Sequence, residues 1–294
     1  MGRNEVIGFA KGILRLIDVV GWQKWFGAGV LGFAFALNSG SNFSLVQLQG
    51  LVVGLPLILI YIQSVNDCFD VEIDLVKEKL GSRQLTVSKV ISQRTALTIT
   101  FLILLIGLLS AWAASLSLFL LCCIMALFGT VYSAPPFRLK MEYPFSTLIQ
   151  FAHCFLPFLA GVAFISTVTF QTIIISSFFA FLAMIQRFKH EIENYKVDKQ
   201  TGKKTVAVVG GLRTAQMLGR LCAFVAVVEF AAFLILGWLN VVLTFLFVLY
   251  VFGIIMWWKW LSYMNPPFRT VFARLEMVSS YILFFIVLFM YGKI

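Results

Sequence analysis

Charged side chains are scarce in this chain of 294 residues, where they make up only 12% of the total. Soluble globular domains carry about 25% charged residues, so the composition excludes an ordinary soluble fold. Hydrophobic residues reach 61% instead. At this length, the composition predicts a single membrane-embedded domain covering residues 1–294.

Residues that commonly bind metals or carry redox chemistry are also few. The two histidines, His153 and His190, are too few for a typical haem or copper centre. The five cysteines lie in or beside apolar runs without CxxC spacing, so we expect reduced packing residues rather than disulfides or zinc ligands. No GxxxxGK[ST] loop and no Gly-x-Ser-x-Gly turn occurs, which removes the usual sequence signals of nucleotide hydrolysis and of a serine nucleophile.

Apolar runs of about 20 residues occupy most of the chain, and they predict an all-α integral membrane protein. Nine transmembrane helices are expected, at 17–38, 44–65, 95–114, 116–134, 145–166, 169–190, 214–238, 240–261 and 272–291. Tight turns are expected between the third and fourth and between the seventh and eighth of these spans.

Basic residues alternate between the two ends of the predicted spans. Of the 23, 22 lie at the N-terminus or around the loops after even-numbered spans. The positive-inside rule places these regions in the cytoplasm of a cell membrane and the C-terminus outside. We therefore assign the net charge of +10 to membrane orientation and to a basic site, and we expect no nucleic-acid partner.

An acidic motif follows the second span, where Asn66, Asp67, Asp70 and Asp74 lie within nine residues. If the helix continues, the three aspartates lie at i, i+3 and i+7, on one helical face. Oxygen ligands without His or Cys favour Mg²⁺. Taken alone, the motif fits a solvated acidic loop equally well.

A second acidic motif repeats this spacing after the sixth span. Glu191, Asn194 and Asp198 each follow a counterpart in the first motif by 124 positions, and both motifs lie on the cytoplasmic side. Two acidic clusters in register predict a shared site for about two Mg²⁺ ions. Such a site suits a diphosphate, because the metals neutralise and orient the leaving group.

Basic and aromatic residues on the same side of the membrane could bind the diphosphate. The candidates are Lys77, Arg83, Tyr132, Arg138, Lys140, Tyr195 and Lys203. Each lysine or arginine alone is also explained by membrane orientation, and Tyr132 by anchoring at the interface. Together they form the cationic surroundings that an anion needs.

These motifs resemble those of the UbiA superfamily of intramembrane prenyltransferases. The segment 66–74 matches its NDxxDxxxD signature, and 132–140 is similar to its Tyr-Ser-x-Pro-Pro-x-Arg-x-Lys segment. The segment 191–198, with the Gly-Lys-Lys-Thr at 202–205, resembles its second acidic motif. Asn194 stands where that family usually has an aspartate.

The resemblance implies a nine-helix bundle around a central cavity, capped by the loops after helices two and six. It implies Mg²⁺-dependent transfer of a prenyl group from a prenyl diphosphate to a lipophilic acceptor through an allylic cation. Implied metal ligands are Asn66, Asp70, Glu191, Asn194 and Asp198, and the acids implied in catalysis are Asp67, Asp70, Asp74 and Asp198. An aromatic quinone precursor is the favoured acceptor, and a glycerol-phosphate lipid is the alternative. No obligate protein partner is expected.

Other interpretations remain open on the residues alone. A membrane transporter of an anionic lipid or metal ion would also use acids, although transporters place them near the bilayer midplane rather than at helix ends. A catalytically inactive scaffold is conceivable because of Asn194. Lys24 either reaches the interface or binds diphosphate. Glu229, near the middle of a span, is expected to be protonated or paired.

Overall fold

Helices dominate the part of the chain that the computed structural model describes, namely residues 12–13, 16–17, 23–71, 73, 75–76, 91–261 and 281–291. No strand occurs among these residues, in agreement with the predicted all-α class. The side chains of residues 23–24 and 253–261 are not part of this description. Asp74, Lys77 and Arg83, which the sequence assigns to the site, lie outside the described residues.

The described helices are labelled in chain order. They are α1 (Gln23–Asn38), α2 (Leu45–Phe69, with a π-helical turn at Gly50–Gly54), α3 (Gln93–Ala114), α4 (Leu116–Ser133), α5 (Phe145–Ala163), α6 (Phe170–Glu193), α7 (Tyr195–Gln200), α8 (Val206–Val209), α9 (Leu212–Ile235), α10 (Val241–Leu261) and α11 (Tyr281–Met290). A short 3₁₀ turn, Leu139–Met141, lies between α4 and α5.

Six of these helices, α2 to α6 and α9, are long and apolar enough to cross a membrane. A helix of 20 residues is about 30 Å long, which matches the hydrocarbon core of a bilayer. Three shorter apolar stretches, Trp25–Asn38, Val241–Phe252 and Tyr281–Met290, coincide with the first, eighth and ninth predicted spans. The chain is therefore an integral membrane protein, and the expected total of nine helices depends on these three shorter stretches.

Short hydroxyl side chains start several of the helices. Ser115 is the clearest case, because its backbone N–H donates to Ala111 at the end of α3 while its Oγ accepts from the backbone N–H of Leu118 in α4. One residue thus ends one helix and starts the next, satisfying backbone groups that the bilayer would leave unpaired. The tight turn expected between the third and fourth spans is present.

Glycines bring α1 and α5 into backbone contact at the centre of the bundle. A Cβ atom on Gly161 would collide with the backbone oxygen of Gly29, and one on Gly32 would collide with that of Phe158. Membrane helices gain most of their association energy from close packing, which small residues permit. This crossing holds the two helices that line one side of the interior.

Apolar side chains also cover the outside of the bundle. Phe101 and Trp112 on α3, and Phe224, Val227 and Ile235 on α9, are all more than half exposed. An outward apolar surface of this kind is expected where helices contact lipid. The polar residues of the two acidic motifs lie instead at one end of the bundle, beside the ends of α2, α4 and α6.

Candidate active site

The first acidic motif lies where α2 ends. Asp70 is the C-cap residue, with φ −95° and ψ 10°, so the motif does not continue along one unbroken helix. In the last turn, Asn66 Nδ2 donates a hydrogen bond of 2.9 Å to Asp70 Oδ2. Asp67 contacts a different partner, because its Oδ1 accepts from Gln63 Nε2 at 3.5 Å. Asn66 and Asp70 therefore bind each other, whereas the Asp67 carboxylate accepts from Gln63 one turn earlier.

A buried lysine binds this pair of oxygen ligands. Lys140 Nζ lies 2.5 Å from Asp70 Oδ1 and 2.9 Å from Asn66 Oδ1, and its side chain is only 2% exposed. Ser133 Oγ donates to the same Asn66 Oδ1 at 3.2 Å. Burial lowers the pKa of Lys140, whereas the adjacent Asp70 carboxylate acts in the opposite direction. One ammonium group thus occupies the position where two oxygen ligands converge.

Arg138 supports the end of α2. Its Nη2 donates a hydrogen bond of 3.0 Å to the carbonyl of Phe69, one of the carbonyls that a helix leaves unpaired at its C-terminus. Arg138 has a left-handed backbone (φ 42°), which is costly for a residue with a Cβ atom. The predicted diphosphate ligand Arg138 therefore holds the turn that carries Asp70.

The second acidic motif breaks its helix in the same way. Asn194 ends α6 and precedes α7, with φ −93° and ψ 9°. These angles almost equal those of Asp70, its counterpart 124 positions earlier. The backbone thus repeats the break at the matched residue, in a sparsely populated conformation that is common at active sites.

Glu191 and Arg187 form a buried ion pair in the second motif. Arg187 Nε lies 2.8 Å from Glu191 Oε1, and their side chains are 10% and 1% exposed. The other carboxylate oxygen accepts from the backbone N–H of Ala207 at 3.4 Å. Each oxygen of Glu191 therefore accepts from one protein donor, and its predicted role as a metal ligand stays a prediction.

The Gly-Lys-Lys-Thr segment closes the loop after α7 around Asp198. Gly202 has φ 72°, a left-handed conformation suited to glycine, and the next backbone N–H, that of Lys203, donates to the Asp198 carbonyl at 2.9 Å. The Lys203 ammonium lies 3.7 Å from Asp198 Oδ1. Thr205 then accepts from Val208 N and starts α8. Asp198 is therefore a buried acid that lies beside a partly buried lysine, Lys203.

Two contacts join the second motif to the first. Arg187 Nη1 donates to the Tyr132 hydroxyl at 3.3 Å, and Tyr132 precedes Ser133, which binds Asn66. The backbone N–H of Lys204 donates to the carbonyl of Met141, which follows Lys140, at 2.8 Å. The structure therefore brings together Asn66, Asp70, Tyr132, Lys140, Glu191, Asp198 and Lys203 at one end of the bundle.

Three further residues that the sequence singled out, Tyr195, Asn194 and Glu229, have contacts within the protein. Tyr195 packs against the small hydrophobic cluster around Phe188 and Val206, with the ammonium of Lys199 5.9 Å from its ring centre. Asn194 directs its amide nitrogen to the His190 carbonyl at 2.9 Å. Glu229 accepts from Ser177 on α6 at 2.7 Å, in the pairing expected of a mid-span acid.

Sequence reasoning missed the contacts of Arg187 and His153 with Tyr132. The sequence analysis treated Arg187 only as one of the 22 basic residues that indicate membrane orientation. Its i, i+4 spacing to Glu191 was nevertheless a visible signal for an ion pair. His153 on α5 has its ring edge-on to Tyr132, with the ring centres 5.9 Å apart. No local pattern marks that contact, because the two helices meet only in the folded chain.

The donor set around Asn66 and Asp70 fits a divalent cation. Their amide and carboxylate oxygens converge on one position that holds a positive charge, the Lys140 ammonium. Hard oxygen ligands with room for phosphate oxygens are typical of Mg²⁺ sites. Among the residues described by the structure, no group of three or more His, Cys, Asp or Glu side chains is close enough to hold a metal without further ligands.

Comparison with known proteins decides the family. A sequence model of the UbiA prenyltransferase family matches residues 27–289. The chain belongs to this family. The resemblance inferred from the motifs is thereby confirmed, and the matched region includes both acidic motifs of this UbiA protein.

Curated relatives of this UbiA chain include plant prenyltransferases. It is 31% identical over 185 residues to 2-acyl-4-prenylphloroglucinol 6-prenyltransferase of Humulus lupulus, an alignment covering 58% of this chain and 43% of that protein. It is 27% identical over 169 residues to a chlorophyll synthase of Oryza sativa, with 55% and 45% covered. The chain therefore spans less than half the length of these relatives.

Solved structures share the fold. A UbiA homologue from Archaeoglobus fulgidus, bound to GPP and Mg²⁺, superimposes with a TM-score of 0.73 at 20% identity. The match covers 94% of this chain and 99% of that one. Similarity over nearly the full length of both chains confirms the UbiA fold.

Proposed function

We propose that this chain is a Mg²⁺-dependent membrane prenyltransferase that moves a prenyl group from a prenyl diphosphate to a lipophilic acceptor. The observation that carries the proposal is the buried Lys140 ammonium between the oxygens of Asn66 and Asp70. When a diphosphate and a metal ion bind together, the Lys140 ammonium and the Asp70 carboxylate would exchange each other for these new partners. The diphosphate would take the lysine, and the metal would take the oxygens.

The reaction breaks the allylic C1–O bond of the donor, and the electron pair leaves with the diphosphate. A nucleophilic atom of the acceptor then bonds to C1 and loses a proton. Bound Mg²⁺ supplies charge neutralisation for the departing diphosphate. Preorganised lysines add to this effect, because they act in a buried site where charge interactions are strong.

The residues divide between metal and diphosphate. Asn66 and Asp70 on one side, with Asn194 and Asp198 on the other, are proposed to hold two Mg²⁺ ions, while Glu191 acts through Arg187. Lys140 and Lys203 are proposed to bind phosphate oxygens, and Arg138 to hold the Asp70 turn. Roles for Asp67, Asp74, Lys77, Arg83 and Tyr195 stay predictions from the sequence.

An aromatic acceptor is favoured over a glycerol-phosphate lipid. The name of the Humulus lupulus relative describes prenylation of an acylphloroglucinol ring, and the chain shares 31% identity with it over 185 residues. We further propose that the site lies on the cytoplasmic side, capped by the loops after helices two and six, because basic residues cluster there. The protein then acts without an obligate protein partner.

The test uses purified protein in lipid nanodiscs with geranyl diphosphate, Mg²⁺ and a panel of aromatic and glycerol-phosphate acceptors. We expect a prenylated aromatic product and stoichiometric diphosphate release. Lys140→Met should reduce the rate about 10³-fold, since it removes a preorganised charge. Lys204→Met is the matched control, because Lys204 is 57% exposed and pairs with Glu142 at the surface.

Two results would contradict the proposal. Equal activity of the Lys140→Met and Lys204→Met proteins would exclude the buried lysine from the reaction. Ion or lipid flux in vesicles, without a prenylated product from any acceptor, would favour the transporter interpretation.

A further inference from the structure

The two faces of α9 have different surroundings. Its inner face, which includes Ala215 and Leu218, packs in the same hydrophobic cluster as Phe188 of α6. Its opposite, outer face is exposed from one end of the helix to the other. Among the six long apolar helices, α9 is the least buried. The outer face is therefore available to lipid or to a partner.

Two arginines lie on this outer face. Arg213, Gln216 and Arg220 are all exposed, and their spacing of i, i+3 and i+7 places them on one side of the helix. The two arginines are about 10 Å apart along the helix axis. Within the described part of the chain, neither arginine has an ion-pair partner or a side-chain hydrogen-bond partner. Both guanidinium groups are therefore open to an anion from outside the bundle.

The position of Arg220 along α9 places it near the membrane interface. Trp238 follows the other end of the helix, and tryptophan is enriched where a bilayer meets water. The helix and turn from Arg220 to Trp238 extend over roughly 25 Å, close to the ~30 Å hydrocarbon core. Arg220 therefore lies at about the level of the lipid phosphates, at the end of the bundle that carries the two acidic motifs. Arg213 lies further out, toward water.

From Arg220 toward the membrane centre, the outer face is entirely apolar. Its exposed side chains are Leu221, Phe224, Val227, Val228, Ala231, Leu234 and Ile235. The stretch from Phe224 to Ile235 is ~16 Å long, about the thickness of the hydrocarbon in one leaflet. Cations at one end of an apolar surface match a molecule with an anionic head and acyl chains.

Charge complementarity favours a lipid over a second copy of this chain. A two-fold contact through this face would bring Arg213 and Arg220 of one copy beside the same arginines of the other, and like charges repel. A guanidinium is weakly hydrated and binds a phosphate through two parallel hydrogen bonds. The phosphate of a lipid therefore supplies the acceptor oxygens that these arginines lack.

We propose that Arg213 and Arg220 bind the headgroup of an anionic phospholipid, whose acyl chains lie along the outer face of α9. Gln216 lies between the arginines and adds a hydrogen-bond donor for the headgroup. This lipid site is separate from the proposed diphosphate site, because it is on the side of α9 that faces away from α6. The inference does not depend on prenyl transfer, so either one can fail without the other.

The experiment measures lipid binding to the purified chain in detergent by native mass spectrometry. It compares phosphatidylglycerol with phosphatidylcholine of the same acyl chains, and we expect phosphatidylglycerol to bind more tightly. A basic residue near an anionic headgroup contributes about 1 kcal/mol, a factor of about five in affinity. Arg220→Gln should therefore weaken phosphatidylglycerol binding about fivefold, and Arg213→Gln combined with Arg220→Gln should weaken it about 25-fold.

Lys196→Gln is the matched control, because Lys196 is an exposed cation on α7, at the same end of the bundle but outside the outer face of α9. We expect it to leave phosphatidylglycerol binding unchanged. An equal loss in Lys196→Gln and Arg220→Gln would overturn the proposal, since the attraction would then come from the overall positive charge.

Two further measurements separate the lipid from other occupants of this face. Inorganic phosphate at the concentration of the lipid should not displace it, because phosphate has no acyl chains to lie on the apolar stretch. Displacement by phosphate alone would contradict a lipid site. The oligomeric state in nanodiscs should be the same for the unmodified chain and Arg220→Gln. A dimer that dissociates in this variant would assign the face to a second copy instead.

Discussion

The two acidic motifs have the same backbone conformation at their helix ends but differ in the partners of their side chains. Both end a transmembrane helix at matched residues, Asp70 and Asn194, whose backbone angles agree within a few degrees. In the first motif a lysine ammonium binds the Asn66 and Asp70 oxygens. In the second, Glu191 is held by Arg187 and by the backbone N–H of Ala207. Equal spacing in sequence therefore does not give the acids the same partners.

The different cations in the two motifs, a lysine in the first and an arginine in the second, suit different roles. A lysine ammonium is a compact point charge on a flexible stem, so under the proposed function Lys140 would move from Asp70 and Asn66 to a phosphate oxygen when a diphosphate binds. The planar guanidinium of Arg187 is fixed by two contacts, to Glu191 and Tyr132. We therefore propose that the first motif exchanges its partners during the reaction, whereas the second positions Asp198.

Asp70→Asn should produce the largest effect, because it gives the first motif the neutral residue that the second already has. We expect a loss of about 10³-fold in kcat, or about 4 kcal/mol, since a charge aimed at the reacting centre is removed. Diphosphate release from geranyl diphosphate at saturating Mg²⁺ measures it. Glu193→Gln is the control, as Glu193 is 57% exposed. Similar rates of diphosphate release in both variants would show that Asp70 is not a metal ligand.

Glu191→Gln should produce an intermediate effect, mainly on stability. It leaves the buried Arg187 guanidinium without its counter-charge, at a cost of about 3 kcal/mol in the free energy of unfolding. Thermal unfolding in detergent measures the loss, and Glu191→Gln combined with Arg187→Met should recover part of it. A variant with unchanged stability and abolished Mg²⁺ dependence would instead show that Glu191 is a metal ligand.

Asn194→Asp should produce the smallest effect and should make the two motifs more alike. An added carboxylate next to Asp198 is expected to lower the Mg²⁺ concentration for half-maximal activity by about tenfold, or 1.4 kcal/mol. Gln200→Glu supplies the matched control, because it adds the same charge at an exposed position at the end of α7. An equal response in both variants would mean that the gain is general electrostatic attraction rather than metal coordination.

Local sequence patterns were sufficient to predict much of the fold and the position of both acidic motifs. Apolar runs of spanning length predicted the helices, because a bilayer requires every backbone group to be satisfied within a helix. The 124-residue offset between the motifs predicted that Asp70 and Asn194 would be equivalent, and their backbone angles agree. Family membership followed from the same motifs.

Pairing between distant side chains was not visible in the same way. Arg138 matched a diphosphate-binding pattern, yet it caps α2 through the Phe69 carbonyl. Tyr195 matched by position, and the contacts of its ring with Phe188 and Val206 were not visible in the sequence. Both outcomes depend on how the loops after α4 and α6 fold back, which spacing along the chain does not encode.

The sequence by itself determined the class of protein, the approximate spans, the two motifs and the preference for oxygen ligands. These follow from composition and periodicity, which are local properties. Only the tertiary structure decided that Lys140 lies between Asn66 and Asp70, and that Arg187 joins Glu191 to Tyr132. The physical reason is that charge pairing and packing depend on distances between helices, and those distances exist only once the bundle has formed.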